Sequence, residues 1–134
     1  MRKIISYSDG ASRGNPGKAA IGIVLVGEDK KTLREHSQTI GIATNNQAEY
    51  RAIIKALELA QDYADDVECF LDSELIVKQL NREYKTKNLK LRELQRVVRQ
   101  KEETFIRVTY KHVRRINPFI QRADELANLA LDAL

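Results

Sequence analysis

Four acidic residues stand where a folding chain seldom places a charge. Asp9 follows the strand-forming run IISYS in YSDGASRGNPG (7–17). Glu49 lies within TNNQAEYRAIIKALELA (44–60), Asp72 within FLDSELIVKQL (70–80), and Asp124 within RADELANLAL (122–131). Each sits beside apolar residues. Burying one carboxylate without a partner is costly, and burying several together adds mutual repulsion. Divalent cations remove that repulsion, and an oxygen-only donor set points to Mg²⁺ or Mn²⁺ rather than zinc. Singly, each acid also has a structural explanation. Asp72 pairs with a helix cap, Glu49 is half exposed, and Asp124 is a favourable charge near a helix N-terminus. Metal chemistry requires that all four converge.

The elements that would carry them follow from periodicity. IISYS (4–8) and the near-continuous apolar run AAIGIVLV (19–26) are expected strands, the second covered on both faces. After the turn at 27–30, residues 31–40 alternate as a third strand. Residues 44–64 change to helical spacing, with Thr44 or Asn45 as N-cap and Ala48, Ile53, Ala56, Leu57 and Ala60 on one side. A short strand over 67–73 ends at Asp72. Ser73 then caps a helix over 73–81, and Leu91, Leu94, Val97 and Val98 mark an amphipathic helix over 89–103. Residues 105–113 alternate as a strand. Pro118 marks 114–120 as a loop, and the last helix runs from about Ile120 onward. The order β-β-β-α-β-α-α-β-α implies one α/β domain over 1–134, a five-stranded mixed sheet with helices on its faces.

Bulk properties narrow the class. The chain has 134 residues, 43% hydrophobic and 31% charged, and so reads as one globular domain rather than a disordered segment. No apolar run is long enough for a membrane span. The N-terminus lacks a secretory signal pattern, and the single cysteine, Cys69, permits no internal disulfide. A cytoplasmic monomer is expected. Charge is unevenly spread: residues 78–122 hold 14 Lys and Arg against 4 acids. That surplus marks either a polyanion-binding face or a solvated helix surface.

The blocks quoted above resemble, in order and spacing, the four signature blocks of ribonuclease H type I, and they span nearly the whole chain. The resemblance implies a ribonuclease H-like fold and cleavage of the RNA strand of an RNA–DNA hybrid. It implies two Mg²⁺ or Mn²⁺ ions held by Asp9, Glu49, Asp72 and Asp124, and products with 5′-phosphate and 3′-hydroxyl ends. It further implies substrate contacts from Asn15 and from Asn45 and Asn46, which meet 2′-hydroxyls in the minor groove. Thr44 resembles a residue that contacts a DNA-strand phosphate. The competing readings are a non-catalytic hybrid-binding module and another metal-dependent nuclease of the same superfamily.

Several positions depart from the family pattern. Glu74 stands where many relatives have glutamine. The connection REYKTKN (82–88) is too short for the extra lysine-rich helix of some relatives, which shifts backbone binding to Lys85, Lys87 and their neighbours. Arg114 occupies the place of a histidine found in bacterial relatives, leaving Arg114 and Arg115 to grip phosphate and His112 as an auxiliary candidate. Ile120 replaces an asparagine. Ile42 replaces an arginine of the DNA-phosphate pocket, which makes cleavage within double-stranded RNA conceivable.

Overall fold

The computed structural model describes residues 2–134. Its elements are β1 (Lys3–Gly14), β2 (Gly17–Val26), β3 (Thr32–Ala43), α1 (Asn45–Ala60), β4 (Asp66–Leu71), α2 (Glu74–Leu80), α3 (Leu89–Glu102), β5 (Arg107–His112) and α4 (Pro118–Asp132). The strands form one sheet in the order β3-β2-β1-β4-β5. β1 pairs antiparallel with β2 and parallel with β4; β2–β3 is antiparallel and β4–β5 parallel. The expected order and mixed sheet are what the chain adopts. None of the described helices is long and apolar enough to cross a membrane.

Alternation along the central strands builds two cores. Ile4, Ile23 and Leu25 face α1, α2 and α3, meeting Ile53, Leu57, Ile76, Leu80, Leu91 and Val98. Ile5, Tyr7, Val24 and Val26 face the opposite way, toward Ile120, Ala123 and Leu126 of α4. All of Ala19–Val26 is buried, because β2 carries helices on both faces.

Several boundaries differ from expectation, and two of them bear on the site. β1 does not stop at Ser8. It continues to Gly14 as a long hairpin with β2, closed by Asn15 and Pro16. Asp9 therefore lies inside a strand rather than after its end, and residues 10–14 are ladder despite their glycines. α4 begins at Pro118, two residues before the expected start. Asn117 is its N-cap, accepting from the N–H groups of Phe119 and Ile120. Proline suits the first helical position, since its missing N–H would be unpaired there anyway.

Candidate active site

β1 outruns β4. Their pairing ends at Tyr7 opposite Phe70, so beyond Tyr7 one edge of β1 is open while its other edge stays paired to β2. Asp9 lies at this notch, two residues past the last β4 partner, above a stack of Tyr7 on Phe70 and Phe119 with ring centroids 5.2 and 5.0 Å apart. Asp72 stands just past the end of β4. Glu49 reaches in from α1 on one face of the sheet, and Asp124 from α4 on the other.

The two helices come this close because glycines face them. A Cβ on Gly10 would lie 2.2 Å from the Ala48 carbonyl carbon, and one on Gly22 would lie 2.0 Å from the Ala123 oxygen. Gly22 is also the cross-strand partner of Asp9. Asp9 is thus flanked by the two close approaches that bring Glu49 and Asp124 to it.

One carboxylate oxygen from each of Asp9, Glu49 and Asp72 lies within 4.8 Å of the other two. Asp124 is more exposed but lines the same cleft of about 380 Å³. Asp9 is 5% and Glu49 7% exposed. Glu49 Oε1 accepts the Gly10 N–H at 2.8 Å, whereas its buried Oε2 has no partner. Burial pushes the Asp9 carboxyl far above the usual range, and the neighbouring Glu49 carboxylate adds to this. Burial likewise raises Glu49, opposed by the adjoining Asp9 carboxyl and by the Gly10 N–H. The pair therefore resists carrying two negative charges unless a cation joins it.

This donor set fits a hard divalent cation. It offers several carboxylate oxygens, no nitrogen or sulfur, and one buried oxygen aimed into the cluster without a hydrogen bond. Among the described residues, the one cation lining the cleft is Arg115, whose Nε donates to Asp72 Oδ2 at 3.0 Å.

The other candidates fall into three groups. Asn45 and Asn46 line the cleft. Asn45 Oδ1 accepts from the Ser12 N–H at 3.1 Å, which leaves its NH₂ for a ligand, and Asn15 Oδ1 accepts from the Asn45 N–H at 3.1 Å. Thr44 is the N-cap of α1 in a reciprocal capping box with Gln47. Replacing Thr44 with alanine is expected to cost about 1 kcal/mol in a chemical denaturation series, with serine restoring most of it. Ser73 caps α2, and Glu74 is exposed and pairs with Lys78.

The third group lies outside the cleft lining. Arg114 is exposed and its place at the cleft is taken by Arg115, because the turn closed by Asn117 N–H on the Arg114 carbonyl points successive side chains apart. His112 is exposed and paired in the β4–β5 ladder opposite Leu71. Lys85 and Lys87 are exposed on the α2–α3 connection, Ile42 is exposed, and Ile120 is core. Ser12 was not anticipated, and a strand extended through 12 is what would have placed it beside Gly10.

Residues 1–131 match the ribonuclease H family model. The chain is 47% identical over 131 residues to ribonuclease HI of Halobacterium salinarum, covering 97% of this chain and 65% of that protein. It is 40% identical over 133 residues to a bifunctional protein of Mycobacterium tuberculosis, covering 98% of this chain and 36% of the relative. The chain thus spans less than two thirds of the length of these curated relatives. The crystal structure of the Halobacterium RNase H1 superposes with a TM-score of 0.95, covering 98% of this chain and 99% of the other. LC11-RNase H1, crystallised in complex with an RNA/DNA hybrid, superposes at 0.91 with 42% identity, covering 97% of each chain. On the family match and on these relatives, the chain belongs to the ribonuclease H family.

Proposed function

We propose that this chain, acting as a monomeric domain, is an endoribonuclease that hydrolyses the RNA strand of RNA–DNA hybrids. The observation that carries this reading is the convergence of Asp9, Glu49, Asp72 and Asp124 on one cleft, with a buried Glu49 oxygen left unpartnered. A binding module gains nothing from packing acids together where the ligand is a polyanion.

In this reading the four carboxylates hold two Mg²⁺ or Mn²⁺ ions, with Asp9 central. Bound there, the ions supply activation of water and neutralisation of charge on the phosphoryl oxygens. The chain's own residues do the positioning. The Asn45 side chain, held against β1 by the Ser12 N–H, and its neighbour Asn46 face the minor groove, where a 2′-hydroxyl both donates and accepts. The Arg115 guanidinium, which pairs with Asp72 at the mouth of the cleft, would be the side chain to contact a phosphate there. Hydrolysis leaves 5′-phosphate and 3′-hydroxyl ends.

The test uses one labelled RNA strand paired with DNA, paired with RNA, or alone, each with Mg²⁺ or Mn²⁺. Asp72→Asn and a chelator serve as controls. Internal cutting of the DNA pairing, lost in both controls, is expected. Cutting of the RNA duplex as well would favour relaxed strand recognition, which the exposed, uncharged Ile42 at the wall of the groove beside Gln47 and Lys90 supports. Tight hybrid binding without cutting would overturn the enzyme reading.

A further inference from the structure

Three of the four carboxylates are held by burial or by charge. Asp9 and Glu49 are buried, Glu49 accepting from Gly10, and Asp72 pairs with Arg115. Asp124 has neither support. It is exposed on α4, and the one N–H donor to its carboxylate among the described residues is the side-chain amide of Asn128. Asn128 Nδ2 donates to Asp124 Oδ1 at 3.3 Å and to the Asp124 carbonyl at 3.0 Å.

Asn128 is itself held from outside the helix. Arg13, near the tip of β1, sends its Nη2 to Asn128 Oδ1 at 3.4 Å and to Asp132 Oδ1. Asp124, Asn128 and Asp132 follow one another at a spacing of four, so they form one stripe along α4.

The order of donors along this stripe fixes the amide. A guanidinium only donates, and an ionised carboxylate only accepts. Asn128 satisfies both neighbours in one orientation, with Oδ1 toward Arg13 and its NH₂ toward Asp124. Turned over, it would set its oxygen against the Asp124 carboxylate and its NH₂ against the guanidinium. The ion pair of Arg13 with Asp132 is exposed on both sides and adds little stability. What Arg13 contributes is the choice of which end of the amide Asp124 meets. Its neighbour Ser12 donates its N–H to Asn45 Oδ1. Adjacent residues at one strand tip thus hold a proposed substrate contact on α1 and a proposed metal ligand on α4.

We infer that Asn128, locked by Arg13, is a positioning residue for Asp124. It fixes the rotation of the carboxyl, holding Oδ1 and leaving Oδ2 for the cleft. The inference rests on the proposed nuclease reading and deepens it. Neither Asn128 nor Arg13 lines the cleft; both act through Asp124. Partners of this kind, one step behind a metal ligand, are worth about 10- to 100-fold in affinity or activity.

The first measurement needs no metal. Three-bond couplings from the Asp124 side-chain carboxyl carbon to the backbone report its rotamer by NMR. Wild type is expected to show one rotamer, and Asn128→Ala and Arg13→Met averaged values. Arg13→Lys keeps a donor-only head and should restore the single rotamer. All three are surface changes that leave the helix intact, so loss of structure alone would not move this signature. The second measurement is hybrid cleavage in Mn²⁺. Asn128→Ala should lower kcat by about tenfold with KM for the hybrid nearly unchanged. Because Arg13 acts through Asn128, the double variant Arg13→Met/Asn128→Ala should be no worse than Asn128→Ala alone. A single Asp124 rotamer kept in Asn128→Ala overturns the positioning role, and so does full kcat alongside averaged couplings. Additive losses in the double variant overturn the lock by Arg13. Should the wild type cut nothing, the nuclease reading fails, and the couplings decide separately whether Asn128 orients Asp124.

Discussion

Asp9→Asn is expected to abolish hydrolysis and, in metal-free protein, to raise the melting temperature. Both effects come from one side chain. Asp9 is 5% exposed, and burial together with the neighbouring carboxylates of Glu49, Asp72 and Asp124 pushes its carboxyl far up. Asparagine keeps the shape and removes the acid. Without metal this relieves repulsion on Glu49 and Asp72. A relief of about 1 kcal/mol gives an increase of about 3 °C or more for a domain of this size. With Mn²⁺ present the order reverses. The wild type gains stability from a ligand that binds only the folded state, whereas the variant has lost its central donor and gains much less. Turnover of a hybrid should fall by about 10³-fold or more, which is about 4 kcal/mol at the transition state. Calorimetry with and without Mn²⁺, alongside a cleavage assay, reads all three quantities. Retained cleavage, or a variant less stable than wild type without metal, would remove Asp9 from the centre of the site.

The types of these four acids were legible in local sequence patterns, and their meeting only through the family resemblance. Local patterns place each acid on an element: helical spacing around Ala48 and Ile53 sets Glu49, and an apolar run stopping at Leu71 sets Asp72. Convergence depends on which strand lies beside which, and on β1 outrunning β4, and neither is a local property. The boundary of β1 was missed because glycines and proline in GASRGNPG suggest a loop when read alone. Pairing with the strongly apolar β2 carries the strand through them to Gly14, so tertiary pairing overrides local propensity. Arg114 and Arg115 could not be separated without the turn that Asn117 closes.

Gly22→Ala should damage both stability and catalysis although residue 22 touches no substrate. The added methyl would sit 2.0 Å from the Ala123 carbonyl oxygen and 2.8 Å from the Ala127 nitrogen. These are backbone atoms in the middle of α4, so no side chain can swing aside and the helix itself must move. Forcing a core element outward costs about 3 kcal/mol, or about 10 °C in melting temperature here. Because Asp124 follows Ala123 on that helix and Gly22 lies opposite Asp9 in the ladder, the same shift carries Asp124 away from its partners. A displacement near 1 Å is enough to lower kcat by about 10²-fold at a temperature where the variant stays folded. Gly10→Ala makes the mirror-image case, driving Cβ against Ala48 of α1 and displacing Glu49. Gly41→Ala is the control. Its φ is +80° but nothing lies within 4 Å of the new methyl, so it should cost only the backbone strain, about 1 kcal/mol, and leave kcat unchanged. If Gly22→Ala loses stability but keeps full kcat in the folded protein, α4 does not set the position of Asp124. If Gly41→Ala loses activity as well, the effect is general destabilisation rather than the close approach of two helices around Asp9.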